Sequence, residues 1–119
     1  MIANWKERLG WAAKAMRATS HTHVCNYDVV DENSVCLQLG ATRGAITSYW
    51  HPRTQGQDAM QIMTTLRFLV QVRDTVTFVC DQDGTQLSFC AHKPYNGNAH
   101  LATCHAIVCA AAHIGKSLP

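Results

Sequence analysis

Charged side chains are scarce in this sequence: Asp, Glu, Lys and Arg together make up 15% of its 119 residues, against roughly a quarter in an ordinary soluble domain. Solvation therefore falls to Thr, Ser, Asn, Gln and His, which leaves a comparatively sticky surface. The net charge of +2 lacks the large positive excess of strong nucleic-acid binders and argues against DNA or RNA as a partner. No apolar run approaches 18 residues, so no membrane span is expected, and the charged first segment does not have the form of a signal peptide. The expectation is a cytoplasmic protein with no membrane partner. Cys-x-x-Cys is absent, which removes the thioredoxin-like redox motif and the zinc knuckle. The six cysteines, Cys25, Cys36, Cys80, Cys90, Cys104 and Cys109, are then expected as reduced thiols in a core. Paired catalytic carboxylates are missing too, since Asp28, Asp31 and Glu32 fall in one turn and Asp81 and Asp83 in another. Gly40-Ala41-Thr42-Arg43-Gly44 lacks the lysine and the strand–loop–helix context of a phosphate loop. No repeat or low-complexity segment occurs.

The strongest positive signal is the tail. Residues 98–116 are rich in alanine, the best helix former, and Leu101, Cys104, Val108 and Ala111 recur at three- and four-residue steps. Gly115 followed by Lys116 suggests the helix stop. At the other end, residues 2–19 place Ile2, Trp5, Leu9, Ala12 and Met16 on one stripe of a helix, with Lys6, Lys14 and Arg17 on a neighbouring face. Trp11 lies off the stripe and must meet another segment, a partner or water. Residues 23–30, 34–39 and 45–50 read as a hairpin and a third strand. A short helix over residues 57–65 follows, with Asp58 near its start. Residues 66–72 admit either an extension of that helix or a strand, and their β-branched and aromatic content favours strand.

Residues 75–81 and 86–92 flank Asp83-Gly84, a type I′ hairpin signal. A two-residue loop sets Phe78 opposite Phe89 and Cys80 opposite Leu87. Val76, Phe78, Cys80, Leu87, Phe89 and Ala91 then share one face, the expected core side, and Cys80 and Cys90 fall on opposite faces. The order of helix, strands, helix, strands, helix predicts one α+β domain over residues 1–119, a sandwich of mainly antiparallel sheet packed by N-terminal, middle and C-terminal helices.

Residues 49–115 carry a tyrosine-led turn at Tyr49, the short helix with Asp58-Ala59-Met60-Gln61-Ile62, a hairpin and the final Leu101-Ala102-Thr103-Cys104-His105 helix. In these features the chain resembles the small phage ABA-sandwich, or NinX-like, proteins. His100 stands where that family usually has proline, and His105 where it has arginine. The resemblance implies an α+β sandwich and a phage or prophage origin. It transfers no catalytic residue.

His21-Thr22-His23-Val24-Cys25 is the sharpest chemical pattern, because on an extended strand His21, His23 and Cys25 project from one face and offer three metal ligands. A small metal-binding domain or metalloenzyme is thus the alternative reading. His100 and Cys104, and His105 and Cys109, are helix neighbours four apart and have the form of thiolate–imidazole pairs, but their alanine-rich surroundings suggest inert burial. With no catalytic motif and no cofactor expected, the leading expectation is a non-enzymatic phage or mobile-element protein that binds and occludes a host protein or complex, as an inhibitor of host defence. Trp11, Tyr49, Trp50, Arg53 and Tyr95 supply the aromatic and arginine anchors typical of interfaces. Self-association through an edge strand is a further expectation.

Overall fold

The computed structural model describes residues 4–19, 26–31, 34–39 and 46–118, without the side chains of residues 26–28, 36–39 and 46–48. The chain is α+β. In order it forms α1 (Trp5–Thr19), β1 (Asn26–Val29), β2 (Val35–Leu39), β3 (Ile46–Trp50), α2 (Gly56–Leu66), β4 (Leu69–Val72), β5 (Val76–Cys80), β6 (Gln86–Ala91), a 3-10 turn (Lys93–Tyr95) and α3 (Ala99–Lys116). The strands make two separate antiparallel meanders, β1-β2-β3 and β4-β5-β6. Residues 66–72 resolve into both states the sequence allowed. The helix α2 stops at Leu66 because Arg67 turns left-handed at φ 58°, and the strand begins at Leu69.

The helix α3 is the hub, packing against α1, α2 and all three strands of the second sheet, while α1 also contacts β1 and β2. Its start is capped by Asn98, whose Oδ1 accepts from Leu101 N at 3.0 Å. Its run of buried Ala102, Ala106, Ala110, Ala111 and Ala112 lets neighbours approach closely. Leu9, Met16, Val35, Trp50, Ile62, Val79 and Val108 fill the core around it, each large apolar side chain contributing about 1.5–3 kcal/mol on burial. Gly115 is not the helix stop. It lies buried inside α3, and a β-carbon there would overlap the backbone carbonyl of Trp11 on α1. Glycine thus sets the α1–α3 approach, and the helix runs on to a Ser117 cap.

The hairpin keeps its expected Phe78–Phe89 pairing, but its buried face is the other one. Thr77 and Val79 are fully buried, while Phe89 is 64% exposed. Thr77 Oγ1 bonds His92 Nε2 at 2.9 Å and Thr103 Oγ1 at 3.0 Å, and Ser88 Oγ donates to the Ala106 carbonyl at 2.6 Å. Small hydroxyl side chains fit beneath an alanine-rich helix and find partners there, whereas two phenyl rings would hold it off. The turn also differs from type I′. Gly84 has φ 88° and Asp83 does not have positive φ. Asp81 O accepts from Gly84 N at 3.0 Å, and Asp81 Oδ1 accepts from Asp83 N and Thr85 N, both at 2.9 Å. This is a three-residue loop ending in a left-handed glycine. Cys80 therefore faces Gln86, and an irregularity beyond it restores the Phe78–Phe89 register. Cys80 and Cys90 remain free thiols on opposite faces.

Candidate functional site

The densest set of polar and aromatic contacts gathers around His105. This residue sits in the middle of α3 at 4% exposure. Tyr95 reaches it from the 3-10 turn, which Pro94 starts and a left-handed Asn96 ends. The Tyr95 hydroxyl lies 2.6 Å from His105 Nδ1, and the two rings meet edge-on at 4.6 Å. Trp5, in the first turn of α1, packs its ring 4.6 Å from the imidazole. Arg53, from the loop before α2, brings Nε to 3.4 Å from His105 Nε2 and its Cζ to 4.3 Å from the Trp5 centroid. Arg8 also lies over Trp5, at 4.8 Å, and its Nη1 donates to Cys109 Sγ at 3.7 Å.

Hydrogen-bond logic fixes the direction of this chain. A guanidinium only donates, so His105 Nε2 accepts from Arg53, and the ring proton resides on Nδ1 and points to the Tyr95 oxygen. Burial, and then the neighbouring Cys90, push Tyr95 up to about 12. Burial, then the charges of Arg53 and Arg8, hold His105 down at about 4. At neutral pH both groups are uncharged and neither is poised to exchange a proton. The network fixes Arg53 and Tyr95 in place.

The cysteine–histidine pairs of α3 behave likewise. His100 Nε2 lies 4.0 Å from Cys104 Sγ, at a groove of about 570 Å³ between α2 and α3 that Met60, Met63 and Ile107 also line. Burial pushes both the Cys104 and Cys109 thiols up, in Cys109 against the opposing charge of Arg8. His105 turns to Tyr95 and Arg53, and Cys109 to Arg8. Neither thiol has the depressed pKa of a nucleophile.

Of the five expected anchors, Arg53 and Tyr95 come together through His105. Tyr49 is exposed at 66% on β3. Trp11 is half-buried between α1 and α3, with Lys116 Nζ 5.1 Å from its ring. Trp50 is not a surface anchor: it is 2% exposed, in the core, and its Nε1 has no hydrogen-bond partner among the described residues. Strand alternation sends Tyr49 out and Trp50 in. His21, His23 and Cys25 lie outside the described residues. Among the described residues no group of three or more His, Cys, Asp or Glu side chains is placed to hold a metal, and no helix is long and apolar enough to cross a membrane.

A second surface was not anticipated. The outer face of β4-β5-β6 carries Leu69, Phe78, Cys80, Phe89, Val76 and Ala91, with Leu69 at 55% and Phe89 at 64% exposure. The Phe78 and Phe89 rings sit 6.4 Å apart, and Arg73 lies over Phe78 at 5.7 Å. The same alternation that reads as a core face in sequence is turned to solvent here. No family model, curated protein or solved structure matches the chain.

Proposed function

We propose that this chain is a non-enzymatic protein-binding module, a phage or mobile-element accessory protein that acts in the host cytoplasm by covering a surface of a host protein, in the manner of a defence inhibitor. One observation carries the binding reading: a patterned apolar face on β4-β5-β6, bearing Leu69, Phe78 and Phe89, is left exposed. Contiguous apolar surface of this kind marks interaction sites in soluble proteins. Aromatic side chains surrounded by polar ones are the residue types that dominate interface energies. The neutral His105 and Tyr95 and the unactivated Cys104 and Cys109 favour binding over catalysis. The NinX-like resemblance of residues 49–115 supports the phage origin.

The test is a pull-down with the tagged full-length chain from nuclease-treated bacterial lysate, paired with light scattering of the purified protein. The reading expects one host protein retained in stoichiometric amount and a monomeric bait. A dimeric bait that retains nothing assigns the apolar face to self-association instead and defeats the host-protein reading.

A further inference from the structure

Trp11 lies off the apolar stripe of α1, and the structure shows what it meets. Lys14 Nζ donates to the Leu118 carbonyl at 2.9 Å, and Lys6 and Arg17 point to solvent. Trp11 instead shares a depression of about 180 Å³ between α1 and α3 with Arg8, Cys109, Ala112, His113 and Lys116. The two permanent cations are held in place: Lys116 by the Trp11 ring at 5.1 Å, and Arg8 by the Trp5 ring at 4.8 Å and Cys109 Sγ at 3.7 Å. Among the described residues, no Asp or Glu lines the depression. Burial pushes the Cys109 thiol up, so its floor carries no negative charge at neutral pH. Capping of α3 does not need Lys116, because its last carbonyls accept from Ser117 N, Leu118 N and Ser117 Oγ.

We propose that this depression binds a phosphoryl dianion, either inorganic phosphate or the terminal phosphate of a small organic molecule. The inference is independent of the protein-binding reading. Charge selects the ligand: a phosphomonoester carries about −1.5 to −2 at pH 7, which matches Arg8 plus Lys116, whereas a carboxylate or a nucleic-acid phosphodiester brings only one charge. Size agrees, since the space is smaller than the roughly 300–1,000 Å³ of sites that enclose whole ligands. It admits a headgroup and leaves any organic remainder outside. Arg8 offers a planar fork for two oxygens and Lys116 a point charge for the third.

The full-length chain, labelled with ¹⁵N, is titrated with inorganic phosphate, with phenyl phosphate and with sodium chloride at matched ionic strength, and read through the Trp11 indole N–H. A saturable shift with either phosphate, absent with chloride and absent at the core Trp50 indole, supports the site. Tighter binding of phenyl phosphate assigns the ligand to organic phosphates, and tighter binding of inorganic phosphate to the free ion. Lys116→Gln, on the exposed last turn where folding is not at stake, is expected to weaken binding about tenfold or more, the loss of one charge-assisted hydrogen bond. Arg8→Lys keeps the charge but loses the two-oxygen fork and is expected to weaken binding as well, whereas Lys6→Gln leaves binding unchanged. Shifts that chloride reproduces, a Lys116→Gln chain that binds like the parent, or equal binding of an oligonucleotide without terminal phosphate overturns the proposal.

Discussion

His105 shows most clearly how a single residue is set by its surroundings. An unfolded histidine takes up its proton near 6.5, whereas in the fold burial and the Arg53 and Arg8 charges delay uptake to about 4. The unfolded state therefore binds the extra proton between these values. The His105 contribution to stability is complete above pH 6.5 and is lost as pH falls toward 4, by about 3 kcal/mol at the limit. Urea unfolding at pH 7 and pH 4.5 is expected to show this loss in the parent chain. In His105→Gln the difference shrinks to what the other titratable groups, common to both, impose. Gly115 makes a second prediction at this scale. Because a β-carbon there meets the Trp11 carbonyl rather than a flexible side chain, Gly115→Ala forces α1 and α3 apart and should cost about 3 kcal/mol in the same assay. Sequence singled out Arg53 and Tyr95 by residue type alone. It had no means of linking positions 53, 95 and 105 through one imidazole, nor of adding Trp5 and Arg8, because that convergence is created by tertiary packing. Trp50 was misplaced for a simpler reason: an aromatic side chain fits a core and an interface equally well, and only the strand's facing decides.

Among the elements of the described residues, patterning and residue content located the helices and strands to within a few residues. What it missed was facing. Both sides of the hairpin alternate apolar residues, Phe78 and Phe89 on one and Val79 and Cys90 on the other, so hydrophobicity alone could not choose. The choice came from α3, whose alanine surface accepts Thr77 and Ser88 and gives their hydroxyls partners. A one-residue difference in loop length moved Cys80 from Leu87 to Gln86, because the Asp81 carboxylate stabilises the longer turn. The α2–β4 junction offers a direct check on the local argument. Arg67 holds φ 58° at a position where glycine avoids the left-handed penalty. Arg67→Gly is expected to leave stability unchanged or raise it by up to about 1 kcal/mol, read as a higher urea midpoint, while most glycine substitutions inside elements lower it.

At the scale of the whole molecule, two kinds of surface are set apart. Basic residues Lys6, Arg8, Lys14, Arg17 and Lys116 belong to α1 and α3, whereas the turns of the second sheet mix Arg73 with Asp74, Asp81 and Asp83. The apolar outer face of that sheet is thus edged by turns of mixed charge, and the proposed phosphoryl site lies on the separate α1–α3 surface. A protein with 15% charged residues that still exposes Phe89, Leu69 and Val72 gains little from these side chains as a monomer. The proposed role in binding gives them a use, and it separates binding from folding. Because Phe89 is exposed, Phe89→Asp is expected to change stability by less than about 1 kcal/mol while removing an anchor worth about 2 kcal/mol or more to the complex. The decisive measurement is the affinity of the purified host protein for the parent chain and for Phe89→Asp, with the thermal midpoints of both chains in hand. The account predicts at least a thirtyfold weaker complex, the equivalent of that 2 kcal/mol, at an unchanged midpoint. Equal affinity of the two chains would contradict it and place the binding surface elsewhere on the molecule.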